Sequence, residues 1–344
     1  MERFSSLTKW YNSKYANDEQ PLVVAGDASS RKFYRVKRGI LMDSLPAIEK
    51  NDSFVKFSEI FNQGHVHVPK IKDYDAENGF FLVEDLGDTT LEKAIENCTI
   101  DTVVQRFEFE EALFKKALNA IKKIQSLPQE SFPIYDEKFI RNELDIFYEW
   151  GLTKGLKVKL TNEEDSLVKE QLDLLAKMVD AVPKAVMHRD FHTRNIMVKN
   201  ERLSFVDFQD AMVGPVVYDL ASLLGDVYLP EVNDEFCSHF AQIYRDEYMR
   251  KLTVSFYKYL EKSDIYKGDE FVKYINDLNL TSLQRHLKCI GIFYRLSLRD
   301  HKDLYLQFIP KLFEKIMYEL KEVPQLHDLA KLLIKVFLKF ESKH

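Results

Sequence analysis

The chain has 344 residues, 45% of them hydrophobic and 30% charged, the composition of a folded protein with apolar material for about two cores rather than of a disordered chain. Forty-nine Lys and Arg against 55 Asp and Glu leave a formal charge of −6, which argues against a general nucleic-acid or anionic-membrane surface but leaves room for a local basic pocket for phosphate. Three widely spaced cysteines, Cys98, Cys237 and Cys289, exclude a disulfide framework or a cysteine zinc site and suit a reducing compartment. With no apolar leader and no run of about 18 apolar residues, the expectation is a soluble cytoplasmic protein.

The first 86 residues read as short strands around one helix. Apolar runs at Pro21–Val24, Phe33–Val36 and Ile40–Met42 are separated by turns at Gly26 and Lys37-Arg38-Gly39. Phe54, Phe57, Ile60 and Phe61 recur at helical spacing over Ser53–Asn62, with Gly64 just beyond. Phe80–Val83 is a further strand, entered from Asn78-Gly79. From Thr90 the period becomes helical, with helices expected near 91–97, 105–125, 137–150, 163–180, 234–260, 269–280, 281–298, 307–320 and 325–340. A β island over 185–208 interrupts them. The fold class is α+β: a small antiparallel sheet with a helix in an N-terminal lobe, 1–86, and a larger, mainly helical C-terminal lobe, 87–344, joined near Gly87.

The strongest chemical signal is His188-Arg189-Asp190-Phe191-His192-Thr193-Arg194-Asn195, of the form H-R-D-x-x-x-x-N, between the apolar runs 185–187 and 196–198. Twelve residues past Asn195 comes Asp207, across the tight turn Lys199-Asn200-Glu201-Arg202. Phosphoryl transfer to an alcohol needs a carboxylate that orients the hydroxyl and takes its proton, a role that suits Asp190. It also needs oxygen ligands for a Mg²⁺ that neutralises the triphosphate, a role that suits Asn195 and Asp207. The polar turn from Gly26 to Val36 offers Gly26, Ser29 and Ser30 to a phosphate, with positive charge from Arg31, Lys32 and Arg35. The strand and acidic turn 79–88 can present backbone groups to a purine edge at Glu84 and Leu86. His65 and His67, two residues apart, lack a carboxylate or cysteine at useful spacing and read as backbone leading into a strand rather than as a metal site.

These motifs, in this order, resemble the aminoglycoside phosphotransferase and choline kinase superfamily, whose fold is bilobal and protein-kinase-like. The strings 26–36, 84–88, Asp207-Phe208-Gln209-Asp210-Ala211, Tyr218-Asp219-Leu220, Leu283-Gln284-Arg285-His286-Leu287-Lys288 and Arg299-Asp300-His301-Lys302 are similar to those of its bacterial cell-wall sugar kinases. That resemblance implies ATP-dependent phosphorylation of N-acetylmuramate or N-acetylglucosamine at the anomeric hydroxyl, with ATP and Mg²⁺ as cofactors, in cell-wall sugar recycling. Phe191, His192 and Arg194 from the loop, and Asp226, Arg285, His286 and Asp300 from the helices, are the candidates for holding the sugar. A kinase for an aminoglycoside or choline-like cation is the alternative, although Arg and His in the C-terminal motif disfavour a cationic acceptor. The third strand departs from the kinase pattern: Ile40-Leu41-Met42-Asp43 stands where a phosphate-holding lysine is expected. Phosphate charge then falls to Arg31, Lys32 or Arg35, unless the chain is a nucleotide-binding regulator without transferase activity. A small-molecule sugar is the expected partner, without nucleic acid or membrane, and the sequence leaves the oligomeric state open.

Overall fold

Short apolar runs pair into a five-stranded antiparallel sheet: β1 (Leu22–Val24), β2 (Lys32–Val36), β3 (Gly39–Asp43), β4 (Ile71–Asp75) and β5 (Phe80–Val83), in the order β1-β2-β3-β5-β4. This computed structural model describes residues 2–15, 19–24, 30–98, 102–230 and 238–341. Register places Met42 opposite Phe33 on one side and Phe81 on the other. At the β2–β3 turn a side chain is excluded, because a Cβ on Gly39 (φ +151°) would lie 2.2 Å from the Val83 carbonyl oxygen. Helix α1 (Glu2–Tyr15) covers one face of the sheet, packing Leu7 and Tyr11 with Tyr34, Val36, Leu41, Phe80 and Leu82. Helix α2 (Asn51–Gln63) lies on the other face, where Phe54 meets Phe81 edge-on at 5.6 Å.

The chain continues through α3 (Leu91–Glu96), α4 (Val103–Gln125) and α5 (Glu137–Ile146), which runs into a π-helical segment, Phe147–Gly155. Helix α6 (Asn162–Asp180) starts at a capping box between Thr161 and Glu164. Strands β6 (Lys184–Met187), β7 (Ile196–Lys199), β8 (Arg202–Phe205) and β9 (Met212–Pro215) follow, then α7 (Tyr218–Leu224), α8 (Ser238–Lys262), α9 (Phe271–Asp300), α10 (Ile309–Lys321) and α11 (His327–Glu341).

Two compact units result. One comprises residues 1–98 with 194–211; the other comprises 99–193 with 212–344. The first holds the five-stranded sheet and the β7–β8 hairpin. Asn200 and Glu201 both take positive φ, +50° and +59°, in that hairpin's turn, the backbone twist a two-residue hairpin loop requires. The second unit is mainly helical, with the β6–β9 ladder set into it. Its core runs from Tyr135 and Phe147 through Leu172 and Leu287 to Phe313 and Phe337. Helix α9 approaches the π-helical segment at Gly291, where a Cβ would stand 2.4 Å from the Ile146 carbonyl oxygen. The α+β architecture is the one the sequence leads to. Some elements differ from expectation: α1, β4 and β9 are additions, the last lying beyond the β island expected over 185–208, and 269–298 forms one continuous helix rather than two.

Candidate active site

In the helical unit, β6 delivers the loop that starts at His188. Asp219, at the start of α7 and 1% exposed, grips that start: its two carboxylate oxygens accept the backbone N–H groups of His188 at 2.7 Å and Arg189 at 2.9 Å. Arg189 has φ +81°, a conformation that costs a non-glycine residue energy and has to be held by its surroundings. Its guanidinium donates to Glu143 at 2.6 Å. Glu143 is buried in α5 and also accepts from the Tyr135 hydroxyl at 2.5 Å and the Gln284 amide at 3.0 Å. Lys288, on α9, lies 3.4 Å from Glu143 and donates to the Tyr218 hydroxyl at 3.0 Å. Asp226 fastens the other end of the loop, accepting from the Thr193 backbone at 2.7 Å and its hydroxyl at 2.6 Å.

Asp190 sits between these clamps. Burial would raise its carboxyl, but the Lys288 ammonium and Arg189 guanidinium outweigh that and hold it at about 2. The same charges hold the Glu143 carboxyl low against its own burial. Asp219 goes the other way: burial pushes it up to about 7, against the two N–H donors and the Arg285 charge.

The chain crosses from one unit to the other between Thr193 and Arg194, inside the motif. In the sheet-bearing unit, Asn195 begins the hairpin and Asp207 follows it, tied by a 3.0 Å bond from the Val206 N–H to the Asn195 carbonyl. Asp207 has φ +68°, which aspartate tolerates better than most residues, and its Oδ1 accepts from the Gln209 amide at 2.6 Å. The adjacent Phe208 is buried, stacked on Phe54 at 5.0 Å and near Phe61 at 5.8 Å. Lys50, just before α2, pairs with Asp210 at 2.5 Å. Helix α2 therefore fixes the segment that carries Asp207. An amide oxygen and a carboxylate are hard donors of the kind Mg²⁺ prefers.

Residues 22–254 match the family described as "Phosphotransferase enzyme family". The chain belongs to this family, and it is a small-molecule kinase. An N-acetylmuramate/N-acetylglucosamine kinase of Pseudomonas aeruginosa is 32% identical over 90% of this chain and 86% of its own length. A protein of the same name from Pseudomonas putida is 30% identical, covering 96% of both chains. Among solved structures, a choline/ethanolamine kinase family protein from Mesorhizobium loti superposes with TM-score 0.57 at 14% identity, covering 95% of this chain and 99% of its own. ADP-bound aminoglycoside phosphotransferase APH(2'')-Ib superposes with TM-score 0.55 at 12% identity, covering 90% and 97%. At these identities the structural likeness is one of fold.

The phosphotransferase residues expected from the sequence are placed as follows. Gly26 and Ser29 lie outside the described residues. The Ser30 hydroxyl bonds to Glu49. Arg31 is buried, donating to the Ser44 hydroxyl at 3.0 Å, 3.3 Å from Glu49 and over the Phe54 ring. Arg35 pairs with Asp85 at 2.7 Å and Asp88 at 2.8 Å. Both arginines share the α2 face of the sheet with Met42, whereas Lys32 belongs with Tyr34 and Val36 on the α1 face and is exposed. Leu86 is buried; the Glu84 N–H donates to the Lys70 carbonyl, and its carboxylate meets His67 at 3.0 Å. His67 also bonds the Ser204 hydroxyl at 2.8 Å.

Of the sugar candidates, Phe191 is fully buried and His192 lies edge-on to Tyr228 at 5.2 Å. Arg194 forms a bidentate pair with Glu92 at 2.9–3.0 Å. Asp226 accepts from Thr193 and, at 2.8 Å, from Tyr228 N–H. Arg285 is buried over the Tyr218 ring, and His286 is held between Glu319 and the Gly225 carbonyl. Asp300 pairs with Arg299 at the far end of α9. Arg285 and Asp300 are fifteen residues apart on this one helix, about 22 Å at 1.5 Å per residue, so they are not brought to one hexose. Glu143, Asp219 and Lys288 are the residues that reading the sequence for function passes over. Asp219 and Lys288 stand inside the quoted family strings, whereas Glu143 carries no local signal.

Proposed function

We propose that this phosphotransferase transfers the γ-phosphoryl group of ATP to the anomeric hydroxyl of N-acetylmuramate or N-acetylglucosamine, in cell-wall sugar recycling. The observation that carries the reading is the likeness, at about 30% identity over nine-tenths or more of the chain, to proteins named N-acetylmuramate/N-acetylglucosamine kinases. Asp190 orients the acceptor hydroxyl and takes its proton as the bond to phosphorus forms. Asn195 and Asp207 hold Mg²⁺, which when bound neutralises charge on the triphosphate. Arg31 and Arg35 add positive charge from the sheet, and the backbone at Glu84 and Leu86 receives the purine. Arg285, with a guanidinium able to meet a carboxylate along two hydrogen bonds, is the residue we assign to the lactyl carboxylate of N-acetylmuramate.

The test is ADP release from ATP–Mg²⁺ over a panel of amino sugars, aminoglycosides and choline, with ³¹P NMR of the product to separate a C1 from a C6 phosphate. The reading expects turnover with the two N-acetylated sugars and a C1 product. Turnover confined to the cationic acceptors, or a C6 product, overturns it. Asp207→Ala should abolish turnover and weaken Mg²⁺-dependent nucleotide binding without unfolding the chain.

A further inference from the structure

The helical unit contains a cavity of about 810 Å³ lined by none of the residues assigned above to phosphoryl transfer. It forms where the π-helical segment ends. Gly155 lets the Tyr294 ring of α9 lie against the backbone, since a Cβ there would stand 2.3 Å from the ring's Cγ. Leu156, Leu160, Leu306, Ile309, Val336 and Phe340 line the interior. Burial pushes the Tyr294 hydroxyl up to about 12, so inside this apolar wall it remains a neutral hydrogen-bonding group.

Three exposed lysines, Lys157, Lys159 and Lys335, also line the cavity and mark its mouth. Among the described residues none of the three is paired with a carboxylate. The single lining carboxylate, Glu164, is engaged at the start of α6, accepting the Thr161 N–H at 3.0 Å. Lys157 has φ +53°, the left-handed turn that ends the π-helical segment, closed by the bond from the Val158 N–H to the Leu152 carbonyl at 3.1 Å.

Each feature alone has an ordinary reading: an imperfectly packed corner, or a solvated basic rim. Together they select a ligand. The volume falls within the roughly 300–1,000 Å³ range of pockets that enclose small molecules. An apolar interior of this size favours hydrocarbon, and a mouth carrying only unpaired ammonium groups favours one anion at the chain's end. We propose that this cavity binds the carboxylate of a single long-chain fatty acid, with the acyl tail inside and the head group among Lys157, Lys159 and Lys335.

The full-length protein, without nucleotide or sugar, is titrated with dodecanoate, dodecanol and dodecylamine, each below its critical micelle concentration. The readout is displacement of a fluorescent fatty-acid probe, with stoichiometry from calorimetry. Because the assay contains no kinase substrate, its outcome is independent of the acceptor proposed above. One dodecanoate per chain is expected, bound at least tenfold more tightly than dodecanol and more tightly still than dodecylamine. The double variant Lys157→Glu/Lys335→Glu alters only exposed side chains. It should weaken dodecanoate tenfold or more while leaving dodecanol unchanged. Leu306→Trp, which fills the interior, should weaken both. Absence of saturable dodecanoate binding, equal affinity for the three head groups, or indifference to the charge reversal overturns the proposal.

Discussion

In the role proposed for it, Asp190 is an unusual proton acceptor, because Lys288 and Arg189 hold its carboxyl at about 2 whereas an effective general base has a pKa near the working pH. Phosphoryl transfer relaxes that demand. Its loose transition state builds little charge on the attacking oxygen, so the acceptor proton leaves late and orientation counts most. Asp190→Asn keeps the shape but cannot take the proton, and turnover should fall by about 10²–10⁴ with nucleotide binding retained, as read by single-turnover kinetics and calorimetry. The pH dependence should follow a different residue. Asp219, with a carboxyl at about 7, grips the two N–H groups best as an anion. The rate should therefore decline as pH falls through about 7, with no separate limb between 4 and 6. Asp219→Asn, which retains one acceptor oxygen, should lower the rate and flatten that decline. A limb near 5 in the native enzyme, or an unchanged limb near 7 in the variant, would contradict this division of roles.

At the scale of elements, β2 divides the basic residues proposed to stand in for the missing lysine. Strand alternation groups Arg31 with Arg35 and separates Lys32, and α1 occupies the Lys32 face. On the function proposed above, Arg31 and Arg35 on the α2 side, and not Lys32, supply the phosphate charge. Arg31→Gln or Arg35→Gln should raise the KM for ATP about tenfold, since a charged hydrogen bond contributes roughly 1.5–3 kcal/mol, whereas Lys32→Gln should stay within about twofold. Met42 is 1% exposed on that same face. Met42→Lys would bury an ammonium near Arg31 and should lower the thermal midpoint without raising turnover. A strong gain in turnover from Met42→Lys would instead mark the chain as a weakened kinase. The strands and most helices were legible because apolar runs and 3.6-residue spacing report burial directly. Strand β4, IKDYD, was not, because an edge strand half-covered by charged residues has no apolar run. Helix α9 looked broken at Thr281-Ser282, yet Thr281 bonds back to the Asp277 carbonyl at 2.7 Å and the helix continues. The H-R-D-x-x-x-x-N motif is local in sequence and stood out. Its clamps did not, because Glu143 meets Arg189 across 46 residues and Gln284 across 141.

For the whole molecule, the two units carry different electrostatic loads, and acid should separate them. In the helical unit, Asp190 and Glu143 are buried carboxylates held below their ordinary values. A group depressed on folding contributes stability that is complete above its unfolded pKa, near 4, and is lost as pH falls through the folded value. For Asp190, moving from 3.8 to about 2, this amounts to about 2 kcal/mol between pH 4 and 2. Asp219 has the opposite sign. Raised from 3.8 to about 7, it favours folding most below pH 4 and loses that contribution as pH rises through 7. It therefore adds no further stability loss during acid titration below 4. The lowered carboxylates of the sheet-bearing unit, Asp73, Asp75 and Asp85, lie nearer solvent, where screening leaves such pairs worth little. Each unit has its own core and each contains one of the chain's two tryptophans: Trp10 in α1 and Trp150 in the π-helical segment. Trp10→Phe leaves a reporter of the helical unit, and Trp150→Phe leaves one of the sheet-bearing unit. On titration from pH 5 to 2, fluorescence of the Trp10→Phe protein should report unfolding at a higher pH than that of the Trp150→Phe protein. Replacing Lys288 with Met should move the helical-unit transition to still higher pH, because Glu143 and Asp190 then lose the cation that keeps them charged. Coincident transitions in the two single-tryptophan proteins, or an unmoved transition in Lys288→Met, would show that the buried charges around Asp190 do not set the acid limit of the fold.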